Sequence, residues 1–489
     1  MENAQGSRKL WRKLFPIHRN ELRKFVPLAT ILCMLAFGHT GLRSLKEIFI
    51  LQHTGVEVVY YLKLFGVTPG ILVFTLLYAR ISQMTSRDER FNVVVLYFLA
   101  FFLLAHLVLL PNLEVLRPDS LVDNLTISFP KLKNLWDVIR YWPLSLFYIH
   151  AEAWGTVGLG VLFWTFANEI TSLEQSKRLY SFLSLGASTG VTVSGILLKC
   201  FDANVGLTLA FVLILLSLTL VVYNLFAHDI NQHPSLYQLP SERTTPEAQP
   251  KSGVPQLSLI DSFKLLSKSR PLALIAILVI IYGTTINLFE SIWQSQVKEL
   301  VTSLGDDRLL ANVYGSRSIY ESIVSVILVL FLSQPIMNRG WRFAASVTPV
   351  IILVATVVLF VFMHFQSALD SMATSWGTNS LSLAVTFGLA NMVFIKATKF
   401  ILFDPTKEQA YIPLDEEARV RGKAVVDGVG MRIGRSLGSL LLTVILIPAL
   451  GSINDAKLYI LLFIIIMLIL WLRLVKILSI ELKTTSTTD

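Results

Sequence analysis

Arg43, Lys46 and Glu47 interrupt an apolar run in the first of several stretches oily enough to cross a bilayer, and the run resumes as Ile48-Phe49-Ile50-Leu51. A lone Glu290 does the same late in a run of Leu, Ile and Ala that starts at Leu272. A charge at membrane depth costs about 2.5–3.5 kcal/mol on translocon-derived scales. Such groups persist where they line a water-filled cavity or pair with one another, and there they mark the path of a charged substrate. Arg43 and Lys46, three residues apart, share a helical face. With Lys63 near the start of the second stretch they form a basic set suited to phosphate, which Arg binds by a planar fork and Lys as a point charge. The plainer alternative for Lys46 and Lys63 is snorkelling to an interface.

Two further segments concentrate charge. In the fourth stretch, His150-Ala151-Glu152-Ala153-Trp154-Gly155 sets an acid within an apolar helix, where it can pair with a cation, take a proton, or sit at the membrane interface. The densest segment runs from Lys396 and Lys399, which share a helical face, through Asp404-Pro405-Thr406-Lys407-Glu408 to Arg421-Gly422-Lys423. Lys423 opens the eleventh stretch, with Asp427, Arg432 and Arg435 further inside, and a structural salt-bridge network around Asp427 is the other reading there. There is no GxxxxGK[ST] loop, no HExxH and no paired CxxC, so no cofactor and no metal is expected.

The elements that must position these groups are membrane helices. The 489 residues are 54% apolar and 15% charged, with a mean hydropathy of +0.62, far oilier than a soluble domain. Twelve windows approach the length needed to span a bilayer: 25–48, 59–82, 92–110, 143–167, 179–200, 205–226, 272–293, 311–334, 343–364, 379–401, 424–448 and 456–478. Such windows exclude a β-barrel, whose strands alternate over about ten residues. Cys33 and Cys200 fall within or at the ends of spans and read as small buried hydrophobes. The net charge of +9 concentrates on alternate connections, which argues for topology rather than nucleic acid and puts both termini in the cytoplasm. No cleavable leader pattern follows the basic N-terminus, so the first span is expected to be retained.

A polar, Pro-rich segment, 227–258, divides the chain. The expected organisation is a basic tail (1–24), a six-helix half (25–226), a cytoplasmic linker (227–271), a second six-helix half (272–478) and a C-terminal tail (479–489). The polar region 111–141 is expected to hold an extramembrane helix or loop. Gly186 and Gly190 recur 244 residues later as Gly430 and Gly434, and Lys46 is 244 residues from Glu290. Small-xxx-small pairs allow close helix approach, and the common spacing suggests parallel six-span repeats with Lys46 and Glu290 facing each other across a central cavity.

The segment FDPTKEQAYIPLDEEARVRGKA resembles the signature of the nucleotide transporter family of ATP/ADP translocases, found in chlamydiae, rickettsiae and plastid envelopes. FPIHRNELRKFVPL, AEAWG…LFWTFANEIT…KRLY and INLFESIW agree with it, so the resemblance covers nearly the whole chain. It implies a major-facilitator-like fold and exchange of ADP for ATP, with important charges at Lys46, Glu152, Glu290 and Lys423, and with Arg43 and Lys63 also matching. The family's usual N-Y-T-x-L-R-D-T-K-D stands here as Gly38-His39-Thr40-Gly41-Leu42-Arg43-Ser44-Leu45-Lys46-Glu47. Its Lys after Trp293 is Gln294, and its Gly-Ala-Asn is Gly186-Ala187-Ser188, a pattern that fits a shifted preference or coupling.

The expectation is therefore a monomeric transporter in a bacterial inner membrane that binds nucleotides and no nucleic acid. Arg43, Lys46, Lys63 and Lys423 would hold phosphates, supported by Lys396 and Lys399. Glu152 and Glu290 would engage those cations when the site is empty, and Trp154 is a candidate to stack on the base. Rival readings are proton-driven import of a nucleoside triphosphate, with Glu152, Glu290 or His39 titrating, and exchange of NAD for ADP. A membrane enzyme acting on a phosphorylated lipid is the rival from another class.

Overall fold

The computed structural model describes residues 21–201, 204–234, 237, 269–414, 422–423, 426 and 430–485, and among these it is helical without a strand. Most of the basic tail, most of the linker and Asp427 lie outside the described residues. Twelve helices among the described residues are long and apolar enough to cross a membrane: Leu22–His53, Val56–Met84, Arg87–Leu109, Trp142–Ile170, Phe182–Cys200, Val205–Gln232, Arg270–Leu304, Arg308–Phe331, Trp341–His364, Ser380–Tyr411, Met431–Leu450 and Ile453–Leu482. Each falls on one of the twelve apolar windows, and they are numbered here in that order.

Local chemistry sets where they start and stop. Ser86 and Glu89 form a reciprocal capping box at the start of the third span, and Ser172 and Gln175 do the same for the helix of the fifth. The seventh helix runs to Leu304, well past the expected end at 293, because the polar residues beyond Trp293 find partners. The Ser295 hydroxyl donates to Asn454 Oδ1 at 2.8 Å and the Lys298 ammonium to the Leu51 carbonyl. Gly305 then ends that helix in the left-handed region at φ 64°. The tenth span tolerates Pro405 by widening beforehand: Lys399–Phe403 is a π-helical turn, and the Ser333 hydroxyl donates at 3.4 Å to the Ile401 carbonyl, which Pro405 cannot serve.

The polar region after the third span folds as short helices, Leu113–Leu116, Asp119–Ser128 and Lys133–Arg140. Arg117 and Arg140 both reach Asp119 at 2.9 Å. The hydrogen bond from Arg117 holds the Asp119 carboxyl below its usual range, whereas burial pushes Asp137 up.

The helices group into two compact units. One comprises the described residues within Met1–Lys46, Gly70–Leu113 and Leu146–Pro250, the other those within Glu47–Pro69, Glu114–Ser145 and Lys251–Asp489. Each contains the same close helix approach. In the first unit a Cβ on Gly190 would overlap the Cys33 carbonyl oxygen, and one on Gly186 would lie 3.0 Å from that of Ala29. In the second, a Cβ on Gly434 would overlap the Ile280 carbonyl oxygen, and one on Gly430 would lie 3.3 Å from Val279 Cγ1. The fifth span thus packs backbone-close on the first, and the eleventh on the seventh.

Because the obstruction is backbone, it cannot swing away. Gly190→Val and Gly434→Val are each expected to cost about 1–3 kcal/mol or more by overpacking. Gly206→Ala, where the nearest atom would be 3.5 Å away, is the control, expected within about 0.5 kcal/mol of the parent. Thermal unfolding in detergent, followed by loss of monodispersity, checks all three.

Candidate functional site

In the first unit, Lys46 is 2% exposed and its Nζ lies 2.9 Å from Glu152 Oε1. The ammonium also sits 3.6 Å from the centroid of the buried Tyr148 ring, an attraction that reaches about 2 kcal/mol when desolvated. A carboxylate and an aromatic face thus both compensate the Lys46 charge. A buried ammonium keeps its charge only with such compensation, and a carboxylate can be exchanged for another oxyanion. Arg43, one turn earlier, is half-buried. Glu152 stands two residues before a π-helical stretch, Trp154–Leu162. Such irregular turns inside long helices occur frequently at functional sites. Gly155 leaves room there for the His39 ring, and Gly158 for the Trp154 ring.

Trp154 itself is fully buried, edge-on to Phe98 at 5.3 Å, with an indole N–H that has no hydrogen-bond partner among the described residues. Its faces are occupied by packing, so base stacking by this ring requires a rearrangement.

The second unit carries a longer ion-pair chain. Lys63 Nζ lies 3.4 Å from Glu290 Oε2, and the other oxygen of Glu290 accepts from Arg317 Nη1 at 3.0 Å. Arg317 Nε donates to Glu321 Oε1 at 2.7 Å, and the second oxygen of Glu321 accepts from Lys396 Nζ at 2.5 Å. Charges therefore alternate from the second span through the seventh and eighth to the tenth. The middle of the chain is the driest part: Arg317 and Glu321 are each 5% exposed. Arg317 also lies 5.2 Å from the Trp293 ring, and Lys63 lies 4.7 Å from that of Tyr60.

A neutral cluster adjoins it. Tyr60 donates to Gln294 Oε1 at 2.9 Å, while the Gln294 amide donates at 3.2 Å both to Glu47 Oε2 and to the Tyr314 hydroxyl. The amide at this position therefore serves as a donor and an acceptor at once, a role a lysine could fill only in part.

The residues singled out by sequence thus divide. Lys46 and Glu152 meet in one unit; Lys63, Glu290 and Lys396 are joined in the other. Lys399, where the π-helical turn begins, instead pairs locally with Asp404 at 2.7 Å. Lys423 pairs with Glu408 at 2.5 Å in an exposed position. Sequence reasoning passed over Arg317 and Glu321. Both interrupt the apolar eighth span as Lys46 interrupts the first, so the same criterion finds them. It also passed over a second match: Glu152 and Lys396 are 244 residues apart, as Lys46 and Glu290 are, with the signs reversed.

The sequence family described as TLC ATP/ADP transporter matches residues 1–482. The ADP,ATP carrier protein 1 of Chlamydia pneumoniae is 34% identical over 95% of this chain and 92% of its own length. That of Rickettsia bellii is 31% identical over 96% of this chain and 95% of its own. Among solved structures, a bacterial homologue of the iron transporter ferroportin matches 95% of this chain and all of its own with a TM-score of 0.56 at 11% identity. The POT family transporter PepTSo matches 96% of this chain and 99% of its own with a TM-score of 0.55 at 10% identity. At those identities the likeness is one of fold, which is major-facilitator-like.

Proposed function

The chain belongs to the TLC ATP/ADP transporter family, a family of transporters rather than enzymes, and on that premise we propose that it exchanges ATP and ADP across a membrane by alternating access. The observation that carries this reading is the pairing of Lys46 with Glu152. The buried ammonium is held by a carboxylate, which a phosphate can replace. The chain Lys63–Glu290–Arg317–Glu321–Lys396 repeats the principle, with cations in excess of carboxylates. Arg43, Lys46, Lys63 and Lys423 bind phosphates, with Lys396 and Lys399 in support, while Glu152 and Glu290 hold the cations when nucleotide is absent.

The transporter sits as a monomer in the inner membrane of an intracellular bacterium, with both termini cytoplasmic, consistent with the basic residues on alternate connections. It is built of two six-helix repeats, 25–226 and 272–478, joined by the polar linker. The recurrence at 244 residues of Lys46/Glu290, Glu152/Lys396, Gly186/Gly430 and Gly190/Gly434 supports that organisation.

The test is uptake of radiolabelled ATP into proteoliposomes, empty or loaded with ADP, with other nucleotides and NAD as competitors. Uptake that needs internal ADP and is competed by ATP and ADP alone is expected. Uptake into empty vesicles driven by a proton gradient, or competition by NAD in place of ADP, would overturn the proposal.

A further inference from the structure

The second unit contains more machinery than phosphate binding needs. In the first unit the fourth-span acid meets the first-span lysine directly, Glu152 against Lys46. The residues at the same spacing in the second unit, Glu290 and Lys396, carry the opposite signs and are joined through the eighth-span pair Arg317–Glu321. Arg317 is gripped by carboxylates on two sides and is 5% exposed. Glu321 is equally buried, yet the Lys396 side chain that it holds is 30% exposed. An incoming anion therefore reaches the lysine while the carboxylate restraining it stays hidden. Two buried ions in a helix–helix contact are a poor way to gain stability, since apolar residues of similar size do as well or better.

We propose that Arg317 and Glu321 are positioning residues for the nucleotide: Arg317 fixes the Glu321 carboxylate, and Glu321 competes with the substrate phosphates for the Lys396 ammonium. This rests on the reading of the chain as a nucleotide exchanger. The pair acts as a built-in competitor that weakens substrate binding so that substrate can also leave. A fixed guanidinium fork is suited to the task because it holds the carboxylate in one orientation without itself being displaced. In kinetic terms, ground-state affinity withheld at Lys396 is returned as turnover, since tighter binding of the resting complex slows every step that must break it.

Glu321→Gln keeps an oxygen to accept from Arg317 but removes the charge that restrains Lys396. The expected result is a KM for ATP, and a Kd measured on the detergent-solubilised carrier, about tenfold lower than the parent, with a maximal exchange rate reduced in similar proportion. Lys396→Gln is expected to raise KM about tenfold and to erase the effect of Glu321→Gln, so that the double variant matches Lys396→Gln alone. A merely structural pair predicts otherwise: lower thermal stability with KM unchanged, or effects of the two substitutions that simply add. Either of those results would overturn the proposal. Should Glu321→Gln not be recovered folded, Lys396→Arg reads the same competition, because its fork can hold Glu321 and a phosphate together. A KM at or below that of the parent supports the proposal, and a KM as high as that of Lys396→Gln overturns it. Parent carrier that neither binds nor exchanges ATP would instead refute the underlying function, a result distinct from both.

Discussion

Lys46→Ala is expected to insert and fold yet lose ATP/ADP exchange by about a hundredfold or more at sub-saturating ATP. A charged hydrogen bond is worth about 1.5–3 kcal/mol, and each 1.4 kcal/mol is tenfold in affinity. Losing one such contact accounts for a factor of about 10–100. The remainder comes from Glu152, which in the parent is neutralised at 2.9 Å by Lys46 and in the variant would face the phosphates unopposed by it. Folding should survive because the Glu152 side chain is a quarter exposed and can recruit water. The two contributions separate in a double-mutant cycle. Glu152→Gln alone should tighten ATP binding, since it removes the competitor. Added to Lys46→Ala, it should recover part of the lost affinity, because the repulsion disappears while the missing contact does not. Binding and exchange assays on the four proteins check this. Strict additivity would mean that Lys46 and Glu152 act on different steps.

The helices were legible in the sequence because a bilayer imposes one dominant requirement, a long apolar window with its backbone satisfied internally. Twelve windows match the twelve long apolar helices among the described residues, and the main misjudgement of an end, at the seventh, has a local cause. Beyond Trp293 hydropathy falls, but Ser295, Gln296 and Lys298 have partners on the twelfth and first spans, so the helix continues. Charge at membrane depth picked out Lys46, Glu152 and Glu290 for the same reason that buried ions are costly. What periodicity could not give was partner choice. Lys396 and Lys399 look equivalent on an ideal helix, yet one joins Glu321 across to the eighth span while the other pairs with Asp404, beyond the π-helical turn Lys399–Phe403. Arg317 and Glu321 are four residues apart and therefore paired along their own helix. That arrangement reads as a self-contained surface pair until the seventh and tenth spans are packed against it. The reversed signs of Glu152 and Lys396 were visible at a spacing of 244, but only once the contact of each was known did the inversion acquire a meaning.

Arg317→Ala is expected to be the most destabilising substitution among the charged residues named here, by about 3–5 kcal/mol, the range for breaking a buried ion pair from one side. Its removal takes from Glu321, 5% exposed, the guanidinium that fixes it at 2.7 Å, and from Glu290 the shorter of its ion pairs with Arg317 and Lys63. Glu290→Ala should cost less, because Glu290 is the more solvated of the two acids and Arg317 retains Glu321 at 2.7 Å. The informative companion is Arg317→Met combined with Glu321→Leu. Replacing both members of a buried pair by apolar residues of similar volume is often neutral or stabilising, so the double variant should unfold at or above the parent temperature. Its maximal exchange rate, however, should stay about tenfold below that of the parent, as for Glu321→Gln. Lys396 would lose the Glu321 carboxylate that sets its position, and Glu290 would lose the Arg317 contact that competes with Lys63 for it. Stability restored with the exchange rate still depressed would separate the two roles of the eighth span. Stability and transport restored together would make the pair a strut that apolar packing can replace.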